Sequence, residues 1–308
     1  MTRVSAIVTA HNEEAFIGAA IDSALSQDVP PHEIIVVNDA SLDGTQAVID
    51  AMMVEHPGVI RCVTLPHNRG APFSRNAGAA LANGEMLAFL DGDDLWFPHK
   101  LASQCAILDR HPEVGYTYGS AISLHAGCAN ATAERIGSSS GVYQPPELCV
   151  GYLRDAYWNF WPSGLLIRRS TFQSSGGFVE ALGAFQHWED YFYACQLGLT
   201  ELAYVTEEPL TYYRVHEDSC SRRAELTRKT IVDERVGLEW FVSHLRSRGP
   251  WPVAPEIVAA LERRLGRNER DFAEAVRTRP GLSAYGSFYT TGSLERLRTE
   301  LGSLLEKS

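Results

Sequence analysis

The sequence predicts a doubly wound α/β fold with a mainly parallel sheet and a helical extension at its C-terminal end. Two observations carry that prediction. Apolar runs of strand length, VSAIVTA, EIIVVND and MLAFLDG, recur through the first hundred residues, with a weaker one at VIRCVTL; unbroken runs mark strands covered on both faces. Helical patterns separate them at Glu14–Ser26, Thr45–Glu55 and Pro72–Asn83, and strand–helix alternation is how a parallel sheet is wound.

Each of the three stronger runs ends in polar groups: Thr9 to Glu13, then Asn38 and Asp39, then Asp91 to Asp94. In open α/β sheets ligands bind beyond the carboxyl ends of the strands, so these clusters are expected to line one crevice. Residues 150–219 are less regular and aromatic, with YWNFWPSG and HWEDYFYACQLGL, and a helix is expected from about His187. From Ala224 onward three segments have helical spacing, ELTRKTIVDERVGLEWFVSHL, PEIVAALERRLG and SLERLRTELGSLLEK.

Composition narrows the function classes. With 308 residues and 45% hydrophobic content the chain has ample material for a core. A net charge of −11 argues against nucleic acid as a partner. The charge is uneven: residues 220–308 carry 16 Lys and Arg against 12 Asp and Glu, whereas residues 1–219 carry 11 against 26. No apolar run approaches the ~20 residues of a membrane span, and the opening MTRVSAIVTAHNEE is unlike a signal peptide. A cytoplasmic location, extending to peripheral contact at the inner face of the membrane, is the expectation. The six cysteines are scattered, with neither CxxC nor zinc-site spacing, and read as reduced, mostly buried thiols.

The stretch LAFLDGDDLWFPHK concentrates the chemistry. Two unit charges ~5 Å apart repel by about 3 kcal/mol at an effective dielectric of about 20, against under about 1 kcal/mol in water. A solvated acidic turn is therefore cheap, and a partly buried one needs a cation. In extended backbone Asp91 and Asp93 share a face, while Gly92 admits close approach of a ligand. Mg²⁺ favours one or two carboxylates completed by phosphates and water. A merely solvated turn is the alternative, disfavoured by MLAFL before and LWF after. In HNRGAPFSRNAG, Pro72 suits a first helical turn and puts Arg75 near the helix N-terminus, placed either for an anion or as an ordinary exposed cation. Glu189 and Asp190 sit at a helix start between Trp188 and Tyr191, as helix-favouring acids or as a general base. Arg214 and His216 lie two apart in YYRVHEDSCS. No G-x-G-x-x-G follows the first strand and no GxxxxGK[ST] occurs.

In this order, VSAIVTAHNEE, IIVVNDASLDGT, NRGAPFSRNAG, FLDGDD, GGF, ED and YYRVH resemble the family 2 glycosyltransferases of the GT-A fold, over about residues 4–221. The resemblance implies a mixed, mainly parallel sheet with a nucleotide-sugar half (1–120) and an acceptor half (121–221) in one domain, 1–221, followed by a helical region, 222–308. It also implies a nucleotide-sugar donor, a hydroxyl acceptor on a saccharide or glycolipid, and Mg²⁺ or Mn²⁺. Backbone around Thr9 and Ala10 would meet the nucleotide, with Glu13 near the ribose and Asp39 accepting from a pyrimidine N–H. Arg75 would meet the diphosphate. Asp91, Gly92 and Asp93 would form the DXD motif, with Asp93 the direct metal ligand and Asp91 toward ribose or metal. Asp190 would be the base and His216 would approach the metal. Where the family commonly shows P-T-Y-N this chain has Thr9, Ala10, His11 and Asn12, which leaves base stacking to His11.

The implied reaction is a single displacement with inversion, on a UDP- or dTDP-sugar. A non-catalytic nucleotide-sugar sensor would need the same first half without Asp190. A sugar nucleotidyltransferase would carry a basic Gly-rich loop where this chain has TAHNEEAF. Trp158, Phe160 and Trp161 serve either an acceptor sugar or the core. The C-terminal helices are expected to offer a membrane surface, a second subunit or a solvated face.

Overall fold

The computed structural model describes residues 2–125, 131–134, 139–154, 160–182, 188–216, 230–247, 254–278 and 289–305. His187, Trp158, Cys128, Cys220 and the helix start expected at Ala224 lie outside the described residues.

The first half follows the alternation expected from its hydrophobic runs. Strands β1 (Val4–Ala10), β2 (Glu33–Asn38), β3 (Ile60–Thr64) and β4 (Met86–Asp91) alternate with helices α1 (Ile17–Leu25), α2 (Thr45–Glu55) and α3 (Ala71–Leu81). These four strands pair in parallel in the order β3-β2-β1-β4. Every residue of β1 is buried. Val4, Ala6 and Val8 join the core that takes in Ile17 and Ile21 of α1 and Ile49 of α2. Ile7 points the other way, so close to α3 that a Cβ on Gly78 would sit 2.5 Å from its Cγ2. Helices on both faces explain why the runs are unbroken. Helix α1 starts at Ile17 rather than Glu14, because Asn12 takes a left-handed φ of 58° and the N–H groups of Phe16 and Ile17 close a turn on the Glu13 carbonyl.

Beyond β4 the sheet turns mixed. Strand β5 (Leu95–Trp96) and helix α4 (Lys100–Arg110) lead to β6 (Tyr116–His125), β7 (Ala131–Glu134), β8 (Gly141–Tyr143) and helix α5 (Glu147–Arg154). A 3-10 turn at Pro162–Gly164 precedes β9 (Leu166–Arg168), α6 (Arg169–Ser175), α7 (Glu189–Thr200) and β10 (Ala203–Val215). Strand β9 runs antiparallel between β4 and β6, and the sheet continues β6-β10-β5. The tail folds as α8 (Thr230–Ser247), α9 (Pro255–Thr278) and α10 (Thr291–Leu305). No helix among the described residues is long and apolar enough to cross a membrane. Cys62 and Cys105 are half-buried and Cys149 and Cys195 buried, all as free thiols.

By contacts the chain forms two compact units. One takes Met1–Pro145, Tyr157–Phe178 and Thr200–His216, and holds the sheet. The other takes Pro146–Ala156, Val179–Leu199 and Glu217–Ser308, so α5 and α7 cluster with the C-terminal helices.

Candidate active site

Register brings the polar strand ends together. Thr9 of β1 lies opposite Asp91 of β4, and Ala10 opposite Asn38 of β2, so the residues following three strands open on one side of the sheet. The Gly92 N–H donates to the Thr9 carbonyl (2.8 Å) and the Asp39 N–H to the Ala10 carbonyl (2.8 Å), which extends the ladder one residue past each strand.

Asp91 is held from three sides. Arg75 of α3 donates from Nη2 to Oδ1 (2.7 Å) and Oδ2 (2.9 Å), the Thr9 hydroxyl donates to Oδ1 (3.1 Å), and the Asp91 N–H donates to Ser163 Oγ (3.1 Å). Arg75 is 4% exposed, with its guanidinium 5.0 Å from the Phe178 ring. It is therefore not the exposed cation left open from sequence, and its charge is brought against the acidic cluster. Asp93 reaches His216 beyond β10, with Oδ2 3.2 Å from Nε2. The His216 ring lies 4.7 Å from that of Phe16.

Asp94, which sequence reasoning did not assign, is the most buried of the three aspartates at 2% exposure. Its Oδ2 accepts from the Ser163 hydroxyl (2.6 Å) and its Oδ1 from the Arg214 N–H (3.1 Å). It thereby ties the end of β4 to the Pro162–Gly164 turn and to β10. Ser163 lay in a stretch singled out only for its aromatics, and nothing in a lone Pro-Ser-Gly signals the contact.

Glu13 is partly exposed as a residue, yet its carboxylate is buried beside Gly92. Its Oε2 has no hydrogen-bond partner among the described residues. Burial first, then the charges of Asp93, Asp91 and Asp94, push this carboxyl well above the usual carboxylate range. Asp94 is pushed the same way by burial and by Asp93 and Asp91. Four carboxyl groups, two of them driven toward their neutral form, mark a site short of positive charge.

Asp39 is 3% exposed and caps the turn into α3: its two oxygens accept the N–H groups of Arg69 and Gly70, each at 2.7 Å. Gly70 needs its freedom there, with φ at 85°. The His11 Nδ1 donates to the Asp39 carbonyl (2.7 Å), and its Nε2 lies 3.1 Å from the Asn12 side-chain nitrogen. The loops after β1 and β2 are clasped further by Asn12 N–H to Ser41 Oγ, Leu42 N–H to Asn12 Oδ1 and Glu13 N–H to Thr45 Oγ1.

Asp190 belongs to the second unit, in the first turn of α7 beside Glu189, where its Oδ1 accepts the Tyr191 N–H (2.7 Å). The structure thus brings Thr9, Ala10, Glu13, Asp91, Gly92, Asp93, Arg75 and His216 together in the sheet unit. His11 follows directly on β1 and reaches the carbonyl of Asp39, which stands at the end of the neighbouring strand β2, while Asp190 stands on the helical unit.

A divalent cation fits the donor set, because the orphaned Glu13 oxygen and the raised carboxyls lack a counter-charge. Among the described residues no group of three or more His, Cys, Asp or Glu forms a ready-made metal cage. Asp93 and Asp91 would be the one or two carboxylates that Mg²⁺ uses when phosphates and water complete its shell.

Comparisons with known proteins agree with this layout. Residues 5–137 match the model of glycosyl transferase family 2. The chain is 30% identical over 243 residues to an uncharacterized glycosyltransferase of Nostoc sp., covering 77% of this chain and 72% of the relative. It is 29% identical over 245 residues to the UDP-Glc:alpha-D-GlcNAc-diphosphoundecaprenol beta-1,3-glucosyltransferase WfaP of Escherichia coli, covering 78% and 88%. In fold it is similar to Staphylococcus aureus TarS 1–349 in complex with UDP-GlcNAc, at TM-score 0.59 and 19% identity, over 99% of this chain and 92% of that one. It is likewise similar to the mannosyltransferase PcManGT of Pyrobaculum calidifontis in complex with GDP-Man and Mn²⁺, at TM-score 0.52 and 20% identity, over 99% and 86%. A GT-A sheet, strand ends that gather an acidic motif with a buried arginine, and a relative matched over most of both chains lead to one assignment: this chain belongs to glycosyltransferase family 2 and is a glycosyltransferase.

Proposed function

We propose that the enzyme transfers a sugar, with inversion, from a UDP- or dTDP-sugar to a hydroxyl acceptor, using Mg²⁺ or Mn²⁺. The observation that carries this reading is the carboxylate cluster of Glu13, Asp91, Asp93 and Asp94, in which Asp91 pairs with a buried Arg75. The WfaP name specifies a UDP-glucose donor and a diphosphoundecaprenol-linked acceptor, and PcManGT is complexed with Mn²⁺, which supports a nucleotide-sugar donor, a glycolipid-type acceptor and a metal here.

The residues divide the work. Backbone at Thr9 and Ala10 meets the nucleotide, His11 stacks on the base, Asp39 stands toward its N–H edge and Glu13 toward the ribose. Arg75 neutralises charge growing on the departing diphosphate, a role its planar fork suits better than a lysine would. Asp93 and Asp91, with His216 against Asp93, would hold the metal, which would supply Lewis-acid stabilisation of the same leaving group. Asp190 takes the proton from the attacking hydroxyl.

A panel of UDP-, dTDP- and GDP-sugars with Mn²⁺, read by thermal shift and slow release of the nucleoside diphosphate, tests the donor. GDP-sugars binding while the pyrimidine donors fail overturns the role of Asp39. Asp190→Asn is expected to lower turnover by about 10²–10⁴-fold and leave binding of Mn²⁺ with UDP unchanged. Retained turnover in that variant removes Asp190 as base.

A further inference from the structure

We infer that the C-terminal helices carry a positioning residue, Arg264, that sets the orientation of the turn presenting Asp190. The inference rests on the reading of Asp190 as base. It begins with an oddity of α9: an otherwise amphipathic helix buries Arg264 to 2% exposure and Asn268 to 0%. A buried arginine is tolerated only when paired, and replacing such a pair by apolar side chains often costs no stability. Stability alone therefore gives no reason for this residue, and its surroundings supply another.

Arg264 Nε donates to Glu234 Oε1 on α8 in a short contact, and the second Glu234 oxygen accepts from Asn268 Nδ2 (2.8 Å). The same Asn268 nitrogen donates to the Ile231 carbonyl (2.8 Å), and Tyr289 Oη donates to Asn268 Oδ1 (2.9 Å). The guanidinium is thus oriented by a network reaching into α8 and Tyr289. It lies over two rings, 5.3 Å from the centroid of Trp188 and 5.1 Å from that of Tyr191, which meet edge to face at 5.2 Å. Those two aromatics bracket Glu189 and Asp190 in sequence.

Contacts within the same unit also tie α7 to α5 and α5 to α9. Tyr191 Oη donates to the Tyr152 carbonyl of α5 (2.7 Å), and Arg267 of α9 donates to the Arg154 carbonyl (3.1 Å). Gly237 lets the α8 backbone lie against Phe192, since any Cβ there would overlap the ring. With α7 held from below by Gly237 and Tyr152, the cation over Trp188 and Tyr191 fixes its first turn. A planar guanidinium does this with both its charge and its face, and a lysine supplies only the charge.

Two variants test the idea in the full-length enzyme. Arg264→Met combined with Glu234→Leu removes the pair without stranding a buried charge, and Arg264→Lys keeps Glu234 paired. Three readings are taken: hydrogen exchange across Glu189–Thr200, kcat for nucleoside diphosphate release from the donor the panel identifies, and the dissociation constant of UDP with Mn²⁺. The double variant is expected to exchange faster at Glu189–Thr200 and to lose about 10–100-fold in kcat, with UDP–Mn²⁺ binding unchanged. Arg264→Lys is expected to fall between it and the parent. Parent-like kcat and exchange in the double variant overturn the inference; if that variant does not fold, parent-like values in Arg264→Lys overturn it instead. Asp190→Asn separates the two readings. If it loses turnover while the Arg264 variants do not, only the positioning role falls, and if it keeps turnover both fall.

Discussion

Gly92 shows how tightly single residues are specified. A Cβ at this position would run into the Glu13 carboxylate and sit 2.9 Å from the Thr9 carbonyl. Gly92→Ala is therefore expected to destabilise the fold by about 1–3 kcal/mol, read by urea unfolding, and to weaken donor binding because the displaced group is a site carboxylate. Ser163 is specified by its partners: it donates to Asp94 and accepts from the Asp91 N–H. Removing its hydroxyl leaves both of those buried groups short of a bond. Ser163→Ala is expected to weaken Mn²⁺ affinity by about 10–100-fold, the usual cost of losing a partner that orients a ligand, while the circular dichroism spectrum stays that of the parent. Titration of Mn²⁺ in the presence of UDP measures it, and unchanged affinity would show that Asp91 and Asp94 hold their places without Ser163. Asp91 was legible as a candidate site residue because it ends an apolar run inside DGDD. Ser163 was not, because it reaches Asp94 and Asp91 through contacts between residues 69 and 72 positions apart.

At the scale of elements, what was legible depended on burial. Strands β1, β2 and β4 announce themselves because helices cover both faces and, apart from Ser5 and Thr9, the positions between their ends are apolar. Strand β9 has three residues, and β10 is interrupted by Glu207, Glu208 and Pro209, where its register against β6 shifts. Neither leaves a periodic signal, so the mixed half of the sheet came only from the family resemblance. Helix α4 hides a different feature at its first residue. Lys100 is fully buried, donates to Gln104 Oε1 (2.7 Å) and lies 4.5 Å from the Trp96 ring centroid. Burial lowers its pKa from an ordinary 10.5 to about 7, with Cys105 the titratable neighbour that opposes the shift. Above pH 10.5 the lysine is neutral in both folded and unfolded chains. Between about 10.5 and 7 the unfolded chain holds a proton the folded one lacks, so stability rises with pH across that window. The slope approaches about 1.4 kcal/mol per pH unit, and below about 7 the penalty is constant. Unfolding of the parent and Lys100→Met across this window is expected to show a gain for Met that is largest near neutrality and shrinks toward pH 10.5. A pH-independent difference would mean that Lys100 keeps its proton in the fold.

For the whole molecule the governing fact is that the chain passes five times between its two units, at 145/146, 156/157, 178/179, 199/200 and 216/217. Neither unit is one continuous segment, so unfolding of one releases chain ends that the other needs. A single cooperative transition is the expectation, and ligands of the sheet unit should shift all of it. The carboxylate cluster sets the sign. Glu13 and Asp94, raised well above the usual range by burial and by their acidic neighbours, add stability only while protonated, and the metal-free protein loses that stability as pH climbs from the ordinary carboxylate range through their raised values. A divalent cation binds the deprotonated carboxylates and offsets the loss, so its benefit grows with pH. At a hundredfold excess over its dissociation constant, UDP with Mn²⁺ adds about 2.7 kcal/mol. For a chain of 308 residues that amounts to about 4 °C in melting temperature. Calorimetry is expected to show one peak moved upward by the pair, moved back by a chelator, and not moved by Mn²⁺ in Asp93→Asn. Two peaks, of which UDP and Mn²⁺ shift only one, would show that the five crossings do not couple the units; the proposed positioning of Asp190 within the helical unit would then be independent of the donor side.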